Sequence, residues 1–179
     1  VKINLRHECI DVREVNGRKS ALFIKDGELI EIYADIIVLA WGGAGSLLGQ
    51  STYPKDVYGR TLSIADKLGL ELVDLEFIEY EPMVMLYPEK VKGEPCPTAM
   101  LGEGAYLLNS KEERFLLEVL DTEAGAPKSI INREIQKQVD IGNGSQYGGV
   151  WADLRHIPAE TLKGYPWFYN LLIRHGVDP

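Results

Sequence analysis

In the stretch Asp35-Ile36-Ile37-Val38-Leu39-Ala40-Trp41-Gly42-Gly43-Ala44-Gly45, an unbroken apolar run ends in a turn of small residues. Apolar residues without alternation are expected of a strand covered on both faces, in a parallel or mixed sheet. Such a strand carries the following turn to the carboxyl edge of the sheet, where open α/β sheets bind cofactors. Gly42, Gly43 and Gly45 lack Cβ, so backbone N–H groups there can approach a ligand closely. The glycines alone fit equally well a tight turn that holds nothing.

Upstream, residues 1–12 and 21–33 carry β-branched side chains in partial alternation, punctuated by Asn16-Gly17 and Asp26-Gly27. They predict a small antiparallel meander. Downstream, Leu62, Ala65 and Leu68 recur at helical spacing after Gly59, with Gly69 placed as a C-cap. Leu70, Leu72 and Phe77 then read as a strand, and Pro82, Pro88, Pro95 and Pro97 break the chain into extended loops until about Ala105. Pro127 suits the first turn of a helix with the stripe Ile131, Ile135 and Val139, ending at Gly142. A glycine-rich loop, a short strand over residues 150–154 and a last helix from Pro166 to Gly176 complete the chain. The pattern changes from β-rich to mixed helix and loop near residues 46–58. An α+β chain is expected, with one domain over residues 1–54 and a second over 55–179.

The formal net charge of the 179 residues is −8, and Lys and Arg gather on no segment, which excludes a nucleic-acid or anionic-membrane surface. The longest apolar run is far shorter than the roughly 20 residues of a membrane span. Cys9 and Cys96 stand far apart and form no metal or redox pair, as expected of a reducing, cytoplasmic compartment. The chain begins at Val1 without Met, basic n-region or apolar h-region, and reads as a segment of a longer protein.

Neither Gly43-Ala44-Gly45-Ser46-Leu47-Leu48 nor Gly142-Asn143-Gly144-Ser145-Gln146-Tyr147 completes the dinucleotide fingerprint, since the third glycine is missing from both. There is no P-loop, and His7, His156 and His175 are isolated, so no metal site is expected.

Four landmarks in order resemble the fumarate reductase and succinate dehydrogenase flavoprotein family, which includes aspartate oxidase. Residues 35–45 are similar to its Ala-Thr-Gly-Gly segment, with Trp41 in place of Thr. Residues 65–77 are similar to its helix and strand ending in Asp-Met-Glu-Phe. Gly102-Glu103-Gly104-Ala105 is similar to Gly-Glu-Gly-Ala, and Leu107-Leu108-Asn109 with Glu113-Arg114-Phe115 to Leu-Val-Asn and Glu-Arg-Phe. The resemblance implies FAD as cofactor, a β-rich tail of an FAD-binding domain followed by a mixed α/β capping domain, and a small-molecule substrate. It also implies an electron-transfer partner subunit. Ala40, Gly42, Gly43, Ala44, Gly45, Ser51 and Thr52 match the positions that contact FAD.

At the substrate end the pattern departs. The family's His-Pro-Thr falls on Glu81-Pro82-Met83, and its Thr-Glu pair and Arg fall on Pro97-Thr98 and Leu101. The Arg-Asp pair that protonates the reduced carbon falls on Lys128 and Ser129. Lys128, Glu81 and Thr98 are therefore the candidate catalytic residues, with Lys128 able to donate a proton if burial lowers its pKa. An acidic Glu81 opposite a dianion disfavours fumarate and succinate. The family's FAD-contacting Asp falls on Arg60, or on Asp56 if the loop is shifted. Glu103 and Arg114 read as structural partners within the capping domain. Two other readings remain: an ordinary fumarate or succinate oxidoreductase subunit with contacts elsewhere, and a noncatalytic capping-fold module that binds a partner subunit.

Overall fold

The computed structural model describes residues 1–49 and 51–177. It divides into two compact units, Val1–Phe77 and Ile78–Pro179.

The first unit is built on the expected meander. Strands β1 (Glu8–Val15), β2 (Arg18–Lys25) and β3 (Glu28–Ala34) pair antiparallel in the order β1-β2-β3. Both hairpins turn through two left-handed residues, Asn16 and Gly17 (φ 53° and 75°), then Asp26 and Gly27 (φ 50° and 86°). This backbone twist matches that of the flanking strands, which is why the Asn-Gly and Asp-Gly signals predicted them. One face of the sheet buries Cys9, Val12 and Ala21 against Ile64 of helix α1 (Arg60–Lys67). Helix α1 ends as expected: the N–H of Gly69 donates to Asp66 and that of Leu70 to Ala65, satisfying its last carbonyls.

Two expected strands are absent. Residues 36–40 run outside any strand, with Ile37 and Leu39 packed on the meander cluster and Ile36 and Val38 exposed at 79% and 78%. The side chains keep strand-like alternation, but no neighbouring strand among the described residues supplies a ladder. Residues 70–77 likewise form a loop with Leu70 and Phe77 exposed. The first compact unit runs through residues 55–77. The N–H of Ser46 donates to Val57 (3.2 Å) and that of Gly59 to Gly43 (3.1 Å), which holds the 51–59 loop within the first unit.

The second unit packs a helical core around a two-stranded ribbon. Strands β4 (Tyr106–Leu108) and β5 (Trp151–Asp153) pair antiparallel, Leu107 opposite Ala152. Met100, Leu101, Leu107, Phe115, Leu116, Ile131, Leu162, Phe168 and Leu172 form the buried cluster. They come from the short helix α2 (Ala99–Gly102), β4, a 3₁₀ turn, and helices α3 (Lys128–Asp140), α4 (Ala159–Lys163) and α5 (Pro166–Arg174). Pro127 lies just before α3, and Pro166 is the first residue of α5, where its missing N–H costs nothing.

The inward stripe of α3 is rotated from the expected one. Ile131, Glu134 and Gln138 are buried, whereas Ile135 and Val139 are half-buried. Gln138 can point inward because its amide oxygen accepts from Asn109 Nδ2 at 3.1 Å. Among the described residues, no helix is long and apolar enough to cross a membrane, and no His, Cys, Asp and Glu cluster could hold a metal.

Candidate functional site

The expected cofactor residues gather around one turn of the first unit. After Ala40 the chain bends through Gly42 to Gly45 and enters a 3₁₀ turn, Gly45–Leu48. The loop that follows folds back, with Ser46 Oγ donating to the Val57 carbonyl at 2.7 Å. Gly45 is required by close approach, since a Cβ there would stand 2.7 Å from the Tyr53 ring. Gly59 adopts φ 83°, and a Cβ on it would stand 3.0 Å from that of Ala44. Ser51 Oγ accepts from the N–H of Tyr53 at 3.1 Å beside Gly45, so Ser51 joins the turn; Thr52 is exposed and its hydroxyl makes no hydrogen bond among the described residues.

The N–H groups of Gly42, Gly43 and Ala44 meet no backbone acceptor among the described residues, and a Cβ on Gly43 would meet nothing within 4 Å. Uncommitted donors beside open space fit a cofactor rich in phosphate and carbonyl oxygens.

Arg60 faces away from such a role. Its guanidinium donates to the Cys9 carbonyl and to Glu8 Oε1, both at 2.7 Å, and also reaches the Tyr58 hydroxyl. These bonds fasten α1 to β1. Asp56, in the loop that folds back on the turn, is exposed.

In the second unit the structure brings Glu81 and Lys128 together across 47 positions of sequence, with Lys128 Nζ 3.2 Å from Glu81 Oε2. Lys128 opens α3, and its ammonium is also 2.6 Å from Glu79 Oε1. Hydrogen bonds from Nζ to Glu79 and then Glu81 raise the Lys128 pKa above the ordinary lysine value. The condition of lowering by burial is therefore not met: the Lys128 side chain is 39% exposed and its ammonium doubly paired. Glu81 Oε1 is buried and has no partner among the described residues.

Thr98 reaches the same end of the unit by a second route. The backbone N–H of Cys96 donates to Met83 at 2.8 Å and that of Met85 to Glu94 at 2.9 Å, so residues 81–82 and 97–98 flank one end of an antiparallel pair. Thr98 precedes α2, half-buried and without a capping bond, and Leu101 is 3% exposed within the core. Burial, with the Glu81 charge adding to it, pushes the Cys96 thiol up to about 12.

Glu103 and Arg114 hold structural partners, as expected, though different ones. Tyr165 donates to Glu103 at 2.7 Å, while Arg114 Nε donates at 3.2 Å to Glu123, which is 2% exposed. Arg114 also lies 3.7 Å over the Tyr106 ring, which stacks on His156 at 4.0 Å. The sequence reading missed Glu79, Glu123 and Asn132. Only the position of Glu79, two residues before Glu81 and at the same strand-like parity, signalled it.

The FAD binding domain family matches residues 2–179 of the chain. The chain belongs to that family. Its cofactor is FAD, and the resemblance to fumarate reductase and succinate dehydrogenase flavoproteins is borne out. A fumarate reductase (CoM/CoB) subunit of Methanothermobacter marburgensis is 33% identical over 140 residues, covering 78% of this chain and 26% of the relative. The L-aspartate oxidase of Clostridium perfringens is 29% identical over 181 residues, covering 99% and 39%. The Mycobacterium smegmatis Sdh1 structure in complex with UQ1 matches with a TM-score of 0.63 at 29% identity, covering 94% of this chain and 29% of that one. This member of the FAD binding domain family therefore spans between 26% and 39% of the length of these relatives.

Proposed function

We propose that the protein is an FAD-dependent oxidoreductase whose substrate is not a simple C4 dicarboxylate. Residues 1–54 serve as the tail of the FAD-binding domain, and residues 55–179 as the capping domain over flavin and substrate. The uncommitted N–H groups of Gly42, Gly43 and Ala44 hold FAD oxygens, with Ser51 and Thr52 beside them. Asp56, not the ion-paired Arg60, supplies the carboxylate on the cofactor side. FAD supplies hydride chemistry when bound; Lys128, kept protonated by its two carboxylate partners, holds a proton at the substrate end, and Glu81 and Thr98 shape that end.

The observation that carries this reading is the 3.2 Å contact between Lys128 and Glu81, the residues matching the family's proton-donating Arg and carboxylate-binding His. A carboxylate in that place repels a dianion. The two free, widely separated cysteines support a cytoplasmic enzyme, the family resemblance supports an electron-transfer partner subunit, and the lack of basic clusters argues against a nucleic-acid surface.

The test is to isolate the full-length protein, record its flavin absorption band, and assay fumarate reduction and succinate oxidation. Bound flavin with negligible turnover of both supports the reading. Robust turnover of either would favour a conventional dicarboxylate enzyme, a reading to which the name of the Methanothermobacter relative lends weight.

A further inference from the structure

Lys128 and Asn132 stand one turn apart on one face of α3 and grip three consecutive residues. Lys128 Nζ holds Glu79 at 2.6 Å and Glu81 at 3.2 Å, and Asn132 Nδ2 donates to the carbonyl of Tyr80 between them at 2.9 Å. The two carboxylates enclose a single ammonium, so the group stays net negative. One acceptor, Glu81 Oε1, is buried and left without a donor. A buried acceptor without a partner is costly, and since the Glu81 side chain is 23% exposed, its turning toward a ligand that supplies a donor relieves that cost.

We propose that Glu79 and Asn132 are positioning residues that fix Glu81 and Lys128 as a charge-occupied clamp, so that the substrate presents a hydrogen-bond donor here instead of a carboxylate. This rests on the oxidoreductase reading above. Lys128 already spends its charge on the protein's own carboxylates, and Glu81 both repels an anion and accepts from a hydroxyl, amide or amine. Discrimination thus comes from an element unfavourable to the wrong ligand as well as one favourable to the right one. Glu79, with its side chain 74% exposed, acts only through Lys128 and can be replaced without opening the core.

The test uses the full-length flavoprotein and two probes, fumarate and its monoamide, titrated against the flavin absorption spectrum. The wild type is expected to bind the monoamide at least about ten-fold more tightly than fumarate, and Glu79→Gln with Glu81→Gln to reverse or erase that ratio. In parallel, acetylation of Lys128, followed by mass spectrometry of its peptide, should quicken several-fold in Glu79→Gln and in Asn132→Ala, a change that simple loss of stability would spread over all lysines. Equal binding of both probes, failure to bind the monoamide, or a ratio and a Lys128 reactivity unmoved by the substitutions overturns the proposal. A protein that holds no flavin at all instead refutes the oxidoreductase reading.

Discussion

Arg60 Nη1 donates to the carbonyl oxygen of Cys9 at 2.7 Å, joining the first turn of α1 to the first strand of the meander. Arg60 is thus a cation that staples two elements, with Glu8 as its counter-ion at 2.7 Å.

Arg60→Ala is accordingly expected to lower the unfolding free energy by about 1 to 2 kcal/mol, the guanidinium being only partly buried. Asp56→Asn should leave stability unchanged within about 0.5 kcal/mol, as expected of an exposed loop residue, and weaken FAD retention. Urea unfolding and flavin content after gel filtration separate the two. Loss of FAD in Arg60→Ala with unchanged stability would reverse the assignment.

Gly59 holds a left-handed backbone against Ala44. Gly59→Ala is expected to cost about 1 to 2 kcal/mol in stability and to reduce flavin retention, because the contact it disturbs supports the turn. Unchanged flavin occupancy at the lower stability would show that this turn does not bear on the cofactor.

Glu123 is almost wholly buried and depends on Arg114, which also stacks over Tyr106. Arg114→Ala strands that carboxylate and should cost about 3 kcal/mol, whereas Arg114→Ala combined with Glu123→Leu should recover much of the loss. Denaturant midpoints of the single and double variants give the answer. An additive pair would contradict the coupling.

Asp153 carries a pKa lowered to about 2, mainly by its hydrogen bond with Arg155. The unfolded value is about 3.9, so the contribution of this pair is full above about pH 4 and is lost as the pH falls through about 2. Asp153→Asn should flatten that part of the acid-stability curve of the second unit. A curve that keeps its slope between those values would exclude Asp153 as its source.

Local chemistry made much of this structure legible. The Asn-Gly and Asp-Gly turns, the Gly69 cap and the proline-led α3 and α5 each depend on a few adjacent residues, and all appear where expected. Residues 36–40 show the opposite case. Their apolar run describes side chains that prefer burial, but a strand also needs a ladder partner, and the run itself does not say whether one is present.

The site divides in the same way. Glu81 and Lys128 were reached through resemblance, residue by residue, and the structure adds that they touch. Glu79 and Asn132 could not be read in advance, because their roles depend on where α3 docks against a loop about 50 residues earlier in the chain. Nor could the raised pKa of Lys128, which follows from two carboxylates meeting one ammonium and not from the lysine itself.

We propose that this flavoprotein family member has exchanged a dicarboxylate site for one occupied by its own charges. The most direct measurement is turnover of fumarate and succinate by the purified full-length protein whose flavin content has been established. A flavin-loaded protein with negligible activity toward both is expected; rapid turnover of either, with Glu81 and Lys128 intact, would overturn the proposed exchange.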